Sequence, residues 1–290
     1  MYAVVWMRTS TAMWPLYVAH VEKFFEREGL DVETTLTGAS ARQLAAMVRG
    51  DFDIGLQQAD HVVRAVEQGS DLFIFMANAP APDLSLVVAP GIRSFDDLRG
   101  RTVAVDGARS GYALLQTRLL QQNGLGELDY AVLETGGVKA RFDALQGGQA
   151  AAAWLNPPYD EWLFAAGFGT LGSVSDFFPG YPGSIAAARR SWAAAQPDRL
   201  IAFIRAFVAA YAWLLDPANR QQAEAIAMAR LGTDDRQTAA AYTAFTSKPR
   251  VEVTAEALQQ VIDAVWTAEG FAQAKGPPEK YMDLSYLARA

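Results

Sequence analysis

The chain has 290 residues, 51% of them hydrophobic and 20% charged, with a formal net charge of -7. That length accommodates two domains, the composition excludes a disordered chain, and the acidic balance leaves no electrostatic footprint for nucleic acid and no polybasic membrane patch. It holds no cysteine and two histidines, His20 and His61, which excludes disulfides, thiolate nucleophiles and cysteine-ligated zinc and offers no histidine spacing suited to a metal.

In chain order, residues 3–7 read as a first strand, followed by the polar turn Arg8-Thr9-Ser10-Thr11. The apolar spacing predicts one helix over 14–28, closed by Gly29, and a strand over 30–36 rich in β-branched residues. After the small-residue turn Gly38-Ala39-Ser40 comes a helix over 41–49, closed by Gly50. A short strand over 53–56, a helix over 60–68 and a strand over 72–77 complete a βαβαβαβ alternation. Such alternation predicts a mostly parallel sheet with helices on both faces. An apolar strand over 84–89 and a short capped helix over 94–98 lead into a second α/β pattern, with strands over 103–105, 131–133 and 151–155 and helices from 111 and over 139–145. Four helices follow, over 198–215, 219–231, 235–244 and 255–269, and are expected to complete the first lobe. The most apolar run, 200–215, is interrupted by Arg205 and is too short to span a bilayer. No signal peptide is visible after Met1, so the chain is cytosolic or its leader has been trimmed.

The segment from Val103 to Tyr112 reads as a buried strand, a turn of small residues and a helix start. A helix start offers unpaired N–H groups and the positive end of its dipole, and Gly107, Ala108 and Gly111 permit close approach to the backbone. With Ser110 and Arg109 added, the turn suggests a cradle for a small anion. The plainer reading is a strand-to-helix turn with no ligand. The glycine spacing fits neither a dinucleotide fingerprint nor a P-loop.

Several segments in order resemble the substrate-binding proteins of bacterial ABC importers, nearest the nitrate, sulfonate, taurine and thiamine-precursor branch. They are Leu16-Tyr17-Val18-Ala19 with Phe24-Phe25-Glu26-Arg27-Glu28-Gly29-Leu30-Asp31-Val32, Gly50-Asp51-Phe52-Asp53-Ile54-Gly55, Ser94 through Val105, and Ala144-Leu145-Gln146-Gly147-Gly148-Gln149-Ala150. Each is weak alone; their order and spacing are specific for the fold and not for the ligand. The resemblance implies an α/β protein of the two-lobe type II periplasmic-binding-protein fold, each lobe a mostly parallel sheet flanked by helices. The first lobe takes 1–89 with 184–290 and the second 90–183, and hinge closure captures a small organic anion, such as a sulfonate or carboxylate, in a cleft between them. It further implies delivery to a membrane permease, no cofactor, no metal, no nucleic acid and a monomeric, non-catalytic protein. The location implied is extracytoplasmic, either periplasmic or lipid-anchored, with a leader not visible here.

Open α/β sheets bind ligands at the ends of their strands. The ligand-binding candidates of the first lobe are therefore Arg8, Thr9, Ser10, Thr11, Trp14, Gly38, Ala39, Ser40, Gln57, Gln58 and Asn78. Those of the second are Arg109, Ser110, Gly111, Tyr112, Trp154, Asn156 and Tyr159. Each has a plainer alternative. Trp14 can belong to the core, one of the two glutamines can cap the following helix, and Asn156-Pro157-Pro158 can be a rigid turn. Enzymes with the same fold form the rival class. The pyrimidine synthase of that group relies on a cysteine-rich segment and histidines, and the desulfinase on a cysteine nucleophile. A chorismate dehydratase type needs no cysteine.

Overall fold

The structure, a computed structural model, describes residues 2–6, 11–37, 40–79, 84–108, 110–157, 159–247 and 251–290. The chain forms two compact units. Unit 1 is Met1–Pro80, Pro182–Gln259 and Gly276–Ala290; unit 2 is Ala81–Tyr181 and Gln260–Lys275.

Unit 1 begins with β1 (Tyr2–Trp6), α1 (Trp14–Val21), α2 (Phe24–Arg27), β2 (Glu33–Leu36), α3 (Ser40–Arg49), β3 (Ile54–Gln58), α4 (Ala59–Glu67) and β4 (Leu72–Ala77). Unit 2 follows with β5 (Ser85–Val88), β6 (Thr102–Val105), α5 (Gly111–Gln122), β7 (Ala131–Glu134), α6 (Val138–Gln146), β8 (Ala152–Leu155), α7 (Tyr159–Ala165), β9 (Gly169–Ser173) and α8 (Val174–Phe177). The chain then returns to unit 1 with β10 (Ser184–Arg189), α9 (Arg190–Ala195), α10 (Pro197–Leu215), α11 (Arg220–Leu231) and α12 (Asp235–Ser247), before α13 (Ala255–Glu269).

The two sheets share one plan. Unit 1 has the strand order β2-β1-β3-β10-β4 and unit 2 the order β7-β6-β8-β5-β9. In each, the strand next to one edge is antiparallel to both neighbours, β10 in unit 1 and β5 in unit 2. The other described pairings are parallel. Each antiparallel strand is the first after the chain passes from one unit to the other: β5 follows β4 of unit 1, and β10 follows β9, the last strand of unit 2.

The expected boundaries at 89 and 184 differ from this division. Strand β5 pairs within the unit 2 sheet, so unit 2 begins at Ala81. The distal part of α13 belongs there as well. Arg118 Nη1 donates to the Gln260 carbonyl at 2.7 Å, and Trp266 packs on Phe271 with ring centroids 5.1 Å apart. Helical periodicity announces an apolar stripe and not the partner that covers it.

The helix expected over 14–28 is broken. Lys23 adopts φ 59, an uncommon conformation outside glycine, and α2 restarts there. The break seats Phe25 on Phe203, with centroids 5.3 Å apart, and meets the His20 ring edge-on at 5.1 Å. Strands β9 and β10 also go beyond the expected elements. Ser-Ile-Ala-Ala-Ala-Arg lacks the alternation and β-branching of a recognisable strand. It is extended because β3 and β4 flank it on both sides.

Helix α10 lies at the centre of the unit 1 core. Leu200, Phe203, Ile204, Phe207, Ala210, Tyr211 and Leu214 are buried at helical spacing against α1, β3 and β4 residues. Each large side chain so buried contributes roughly 1.5–3 kcal/mol. Among the described residues no single helix is long and apolar enough to cross a membrane. Gly50 ends α3 at φ +88, a left-handed conformation that calls for glycine.

The C-terminal segment seals the β4 edge. Ile74 N–H donates to the Tyr281 carbonyl at 2.8 Å and Asp283 N–H returns to the Ile74 carbonyl at 2.9 Å. The fully buried Tyr281 hydroxyl donates to Glu67 at 2.7 Å, beside Lys280 Nζ at 2.6 Å. Burial, with the Glu67 carboxylate second, holds that hydroxyl's pKa well above the ordinary tyrosine range.

Candidate functional site

In unit 1 the end of β3, the end of β4 and the start of β10 meet. Gln58 pairs with Ser184 across the β3–β10 ladder. Asn78 N–H donates to the Ser184 carbonyl at 3.0 Å, and the Ser184 hydroxyl reaches the Gln57 carbonyl at 3.4 Å. Gln57 and Asn78 are fully buried, each 0% exposed. Asn78 Nδ2 donates to the Ala12 carbonyl at 3.1 Å, but Asn78 Oδ1 has no partner. Both side-chain atoms of Gln57, Oε1 and Nε2, are without partners. A buried amide left unpaired costs roughly 1–3 kcal/mol, so three such atoms at neighbouring strand ends are an expensive arrangement without a ligand. His61, in the first turn of α4, adds a buried unpaired Nδ1.

Other glutamine chemistry nearby is satisfied. Gln43 of α3 donates to the Leu56 carbonyl at 2.8 Å and accepts from Thr37 Oγ1 at 3.3 Å. That bond ties α3 to β3 just before Gln57. Gln58 occupies the N-cap position of α4 with no side-chain cap, so of the adjacent pair it is Gln57 that stands unsatisfied.

Trp14 is corrected to a core residue. It is 0% exposed, its indole N–H donates to the Ala223 carbonyl at 3.0 Å, and it meets Tyr242 and Phe245 at 5.9 and 6.1 Å. Of Thr11 and Ser40 the backbone is described: Thr11 opens a short 3-10 turn and Ser40 opens α3. Arg8, Thr9, Ser10, Gly38, Ala39 and Arg109 lie outside the described residues.

In unit 2 the turn after β6 is built as a helix start, but its polar groups serve the protein itself. Ser110 is the N-cap of α5: its hydroxyl accepts from Ala113 N–H at 3.0 Å and donates to Asp106. Ala108 N–H donates to Glu134 at 2.9 Å. Two of the chain's own carboxylates therefore stand at the turn where an anion cradle was expected. Gly111 and Tyr112, in the first turn of α5, are half-buried.

Arg141 of α6, which sequence reading missed, organises the strand ends of this unit. It is 4% exposed; Nε donates to the Trp154 carbonyl at 2.9 Å, Nη1 donates to the Gly136 carbonyl at 3.2 Å, and Asp106 lies 3.9 Å away. One guanidinium so joins the ends of β6, β7 and β8. A cation at an otherwise apolar helix position was the available signal, since a buried arginine requires partners.

Trp154 is 1% exposed with its indole N–H unpaired, so it retains a free donor. Asn156 forms a local turn: its Nδ2 donates to the Pro157 carbonyl and its carbonyl accepts from Tyr159 N–H. Tyr159 packs into a triangle with Phe142 and Trp162 at 5.4 and 5.3 Å. Among the described residues no cluster of histidine, aspartate and glutamate is arranged to hold a metal ion.

A match to the family described as NMT1/THI5 like extends over residues 10–220. The chain belongs to the NMT1/THI5-like family. The periplasmic aliphatic sulphonate binding protein SsuA from Escherichia coli superposes with a TM-score of 0.74 at 21% identity, covering 96% of this chain and 90% of that one. The periplasmic nitrate-binding protein NrtA from Synechocystis PCC 6803 gives 0.76 at 11% identity, over 99% and 87%. The fold is thus that of the periplasmic binding proteins, as the sequence resemblance implied. By sequence, 125 residues are 26% identical to 4-amino-5-hydroxymethyl-2-methylpyrimidine phosphate synthase of Schizosaccharomyces pombe, 42% of this chain and 35% of the length of that enzyme.

Proposed function

We propose that this NMT1/THI5-like protein is the extracytoplasmic solute-binding component of an ABC importer. It takes up a small organic solute as a monomer and delivers it unchanged to a membrane permease. The observation that carries this reading is the fully buried Gln57 amide with both polar atoms unpaired, beside the unpaired Asn78 oxygen. A bound solute that both donates and accepts hydrogen bonds would satisfy them. In unit 2 the unpaired Trp154 indole N–H offers a donor of the same kind. For a sulfonate or carboxylate, Arg8 and Arg109, both outside the described residues, are the cationic candidates from the sequence.

The test is thermal unfolding against alkyl and aromatic sulfonates, nitrate, aromatic carboxylates and pyrimidines. A solute at about a hundred times its Kd adds roughly 2.7 kcal/mol to the folded state and raises the midpoint by several degrees. For an anionic hit, Arg109→Ala weakens binding by more than about tenfold through loss of a charge-assisted bond. A midpoint shift with the solute recovered unchanged supports the importer reading.

The pyrimidine synthase match supports an enzyme as the second reading. Against it stand the absence of cysteine and the presence of just two histidines in this chain. Chemical conversion of the stabilising solute would decide for the enzyme.

A further inference from the structure

Strands β6 and β7 pair in register, Val103 with Val132 and Val105 with Glu134, so these four side chains share one face of the sheet. Together with the start of α5 that face lines a cavity of about 170 Å³, walled by residues of unit 2. Val103, Val105 and Val132 supply the apolar wall. Gln116, Tyr130 and Glu134 supply the polar one.

Gln116 is 2% exposed and its Nε2 has no partner. The middle of a helix facing a sheet is a place for leucine, and an unpaired amide there calls for an acceptor that the protein does not provide. Glu134 holds Ala108 N–H through Oε2 and brings a carboxylate to the cavity. Among the described residues that line it there is no lysine or arginine, and the Glu134 carboxylate favours a cationic group over an anion. The cavity opens to solvent beside Val132, which is 51% exposed, and its volume suits a single small ring.

We propose that this cavity is a second binding site, for a small organic amine that also carries a hydrogen-bond acceptor on a compact carbon frame. The amino group pairs with Glu134, the acceptor takes the Gln116 N–H, and the frame lies against the valines. The proposal rests on unit 2 alone and is independent of the importer reading.

The probe is 3-(aminomethyl)pyridine, whose ammonium group is separate from a ring nitrogen that stays an acceptor at neutral pH. The uniformly 15N-labelled full chain is titrated with it and followed by heteronuclear NMR, with benzoate as the size-matched anion. The expected result is movement of the Gln116 side-chain amide signals together with backbone signals of β6 and β7. Gln116→Leu weakens the binding by at least tenfold, Glu134→Gln by several-fold, and benzoate moves none of these signals. Should Gln116→Leu fail to fold, Glu134→Gln and the benzoate comparison carry the test. Unmoved Gln116 signals at millimolar probe, equal binding of benzoate, or undiminished binding by Gln116→Leu and Glu134→Gln would each overturn the site. Movement confined to Gln57 and Asn78 would place the probe in unit 1 and overturn it too.

Discussion

Replacing Gln57 by leucine separates a binding residue from a structural one by the sign of its effect on stability. Leucine nearly matches glutamine in volume and brings no polar atom. In the unliganded protein Gln57 carries two buried atoms without partners. Each such atom costs roughly 1–3 kcal/mol, part of which the native packing already absorbs, so Gln57→Leu is expected to stabilise the free protein by about 2 kcal/mol. For a chain of this size that raises the unfolding midpoint by about 4–8 °C. The same change removes a donor and an acceptor from the bound state. Two lost neutral hydrogen bonds at about 0.5–1.5 kcal/mol each weaken the solute that shifts the wild-type midpoint by roughly 10- to 100-fold. Calorimetric titration and thermal unfolding of the two proteins, with and without that solute, read both quantities. A variant that is less stable without solute, or that binds with unchanged affinity, would refute the reasoning.

Arg141→Met keeps the length of the side chain and removes the charge that joins three strand ends. Two hydrogen bonds to carbonyls are lost and Asp106, whose side chain is 29% exposed, loses the Arg141 cation 3.9 Å away. A loss of about 3 kcal/mol in denaturant unfolding is expected, the lower end of the range for breaking a buried pair, and a loss below about 1 kcal/mol would contradict the assigned role. His20 makes stability depend on pH. Burial, then the nearby Arg230, holds its pKa below the ordinary value, and its Nε2 lies 2.9 Å from Thr34 Oγ1. The unfolded chain therefore binds a proton near pH 6.5 that the folded chain does not. Stability from this group is present above that pH and is lost as pH falls from there towards the folded-state pKa. Between pH 7 and 5 the midpoint of wild type is expected to fall further than that of His20→Gln, and parallel curves would exclude His20 as the source.

The sequence by itself determined the class of the protein. Alternation of β-branched strands with 3.6-period helices, the first two closed by Gly29 and Gly50, established two α/β patterns, and the C-terminal helices came close to their observed limits. These are local properties: backbone period, capping and turn chemistry are set by residues a few positions apart. The motif order that pointed to the family is of the same kind. The roles of particular side chains were not local. Trp14 could line a ligand site or enter the core until Ala223, Tyr242 and Phe245, more than two hundred residues away, claimed its face and its N–H. Ser110 and the Ala108 N–H looked free to hold an anion, and their actual partners include Asp106 and Glu134. Gln57 and Gln58 were equivalent in sequence, and burial with two unpaired atoms distinguished Gln57. Strand β10 is extended because it completes a sheet, not because its alanines favour that conformation. Periodicity specifies which faces must be covered; the cost of burying an unpaired polar group depends on which partners the tertiary structure brings to it.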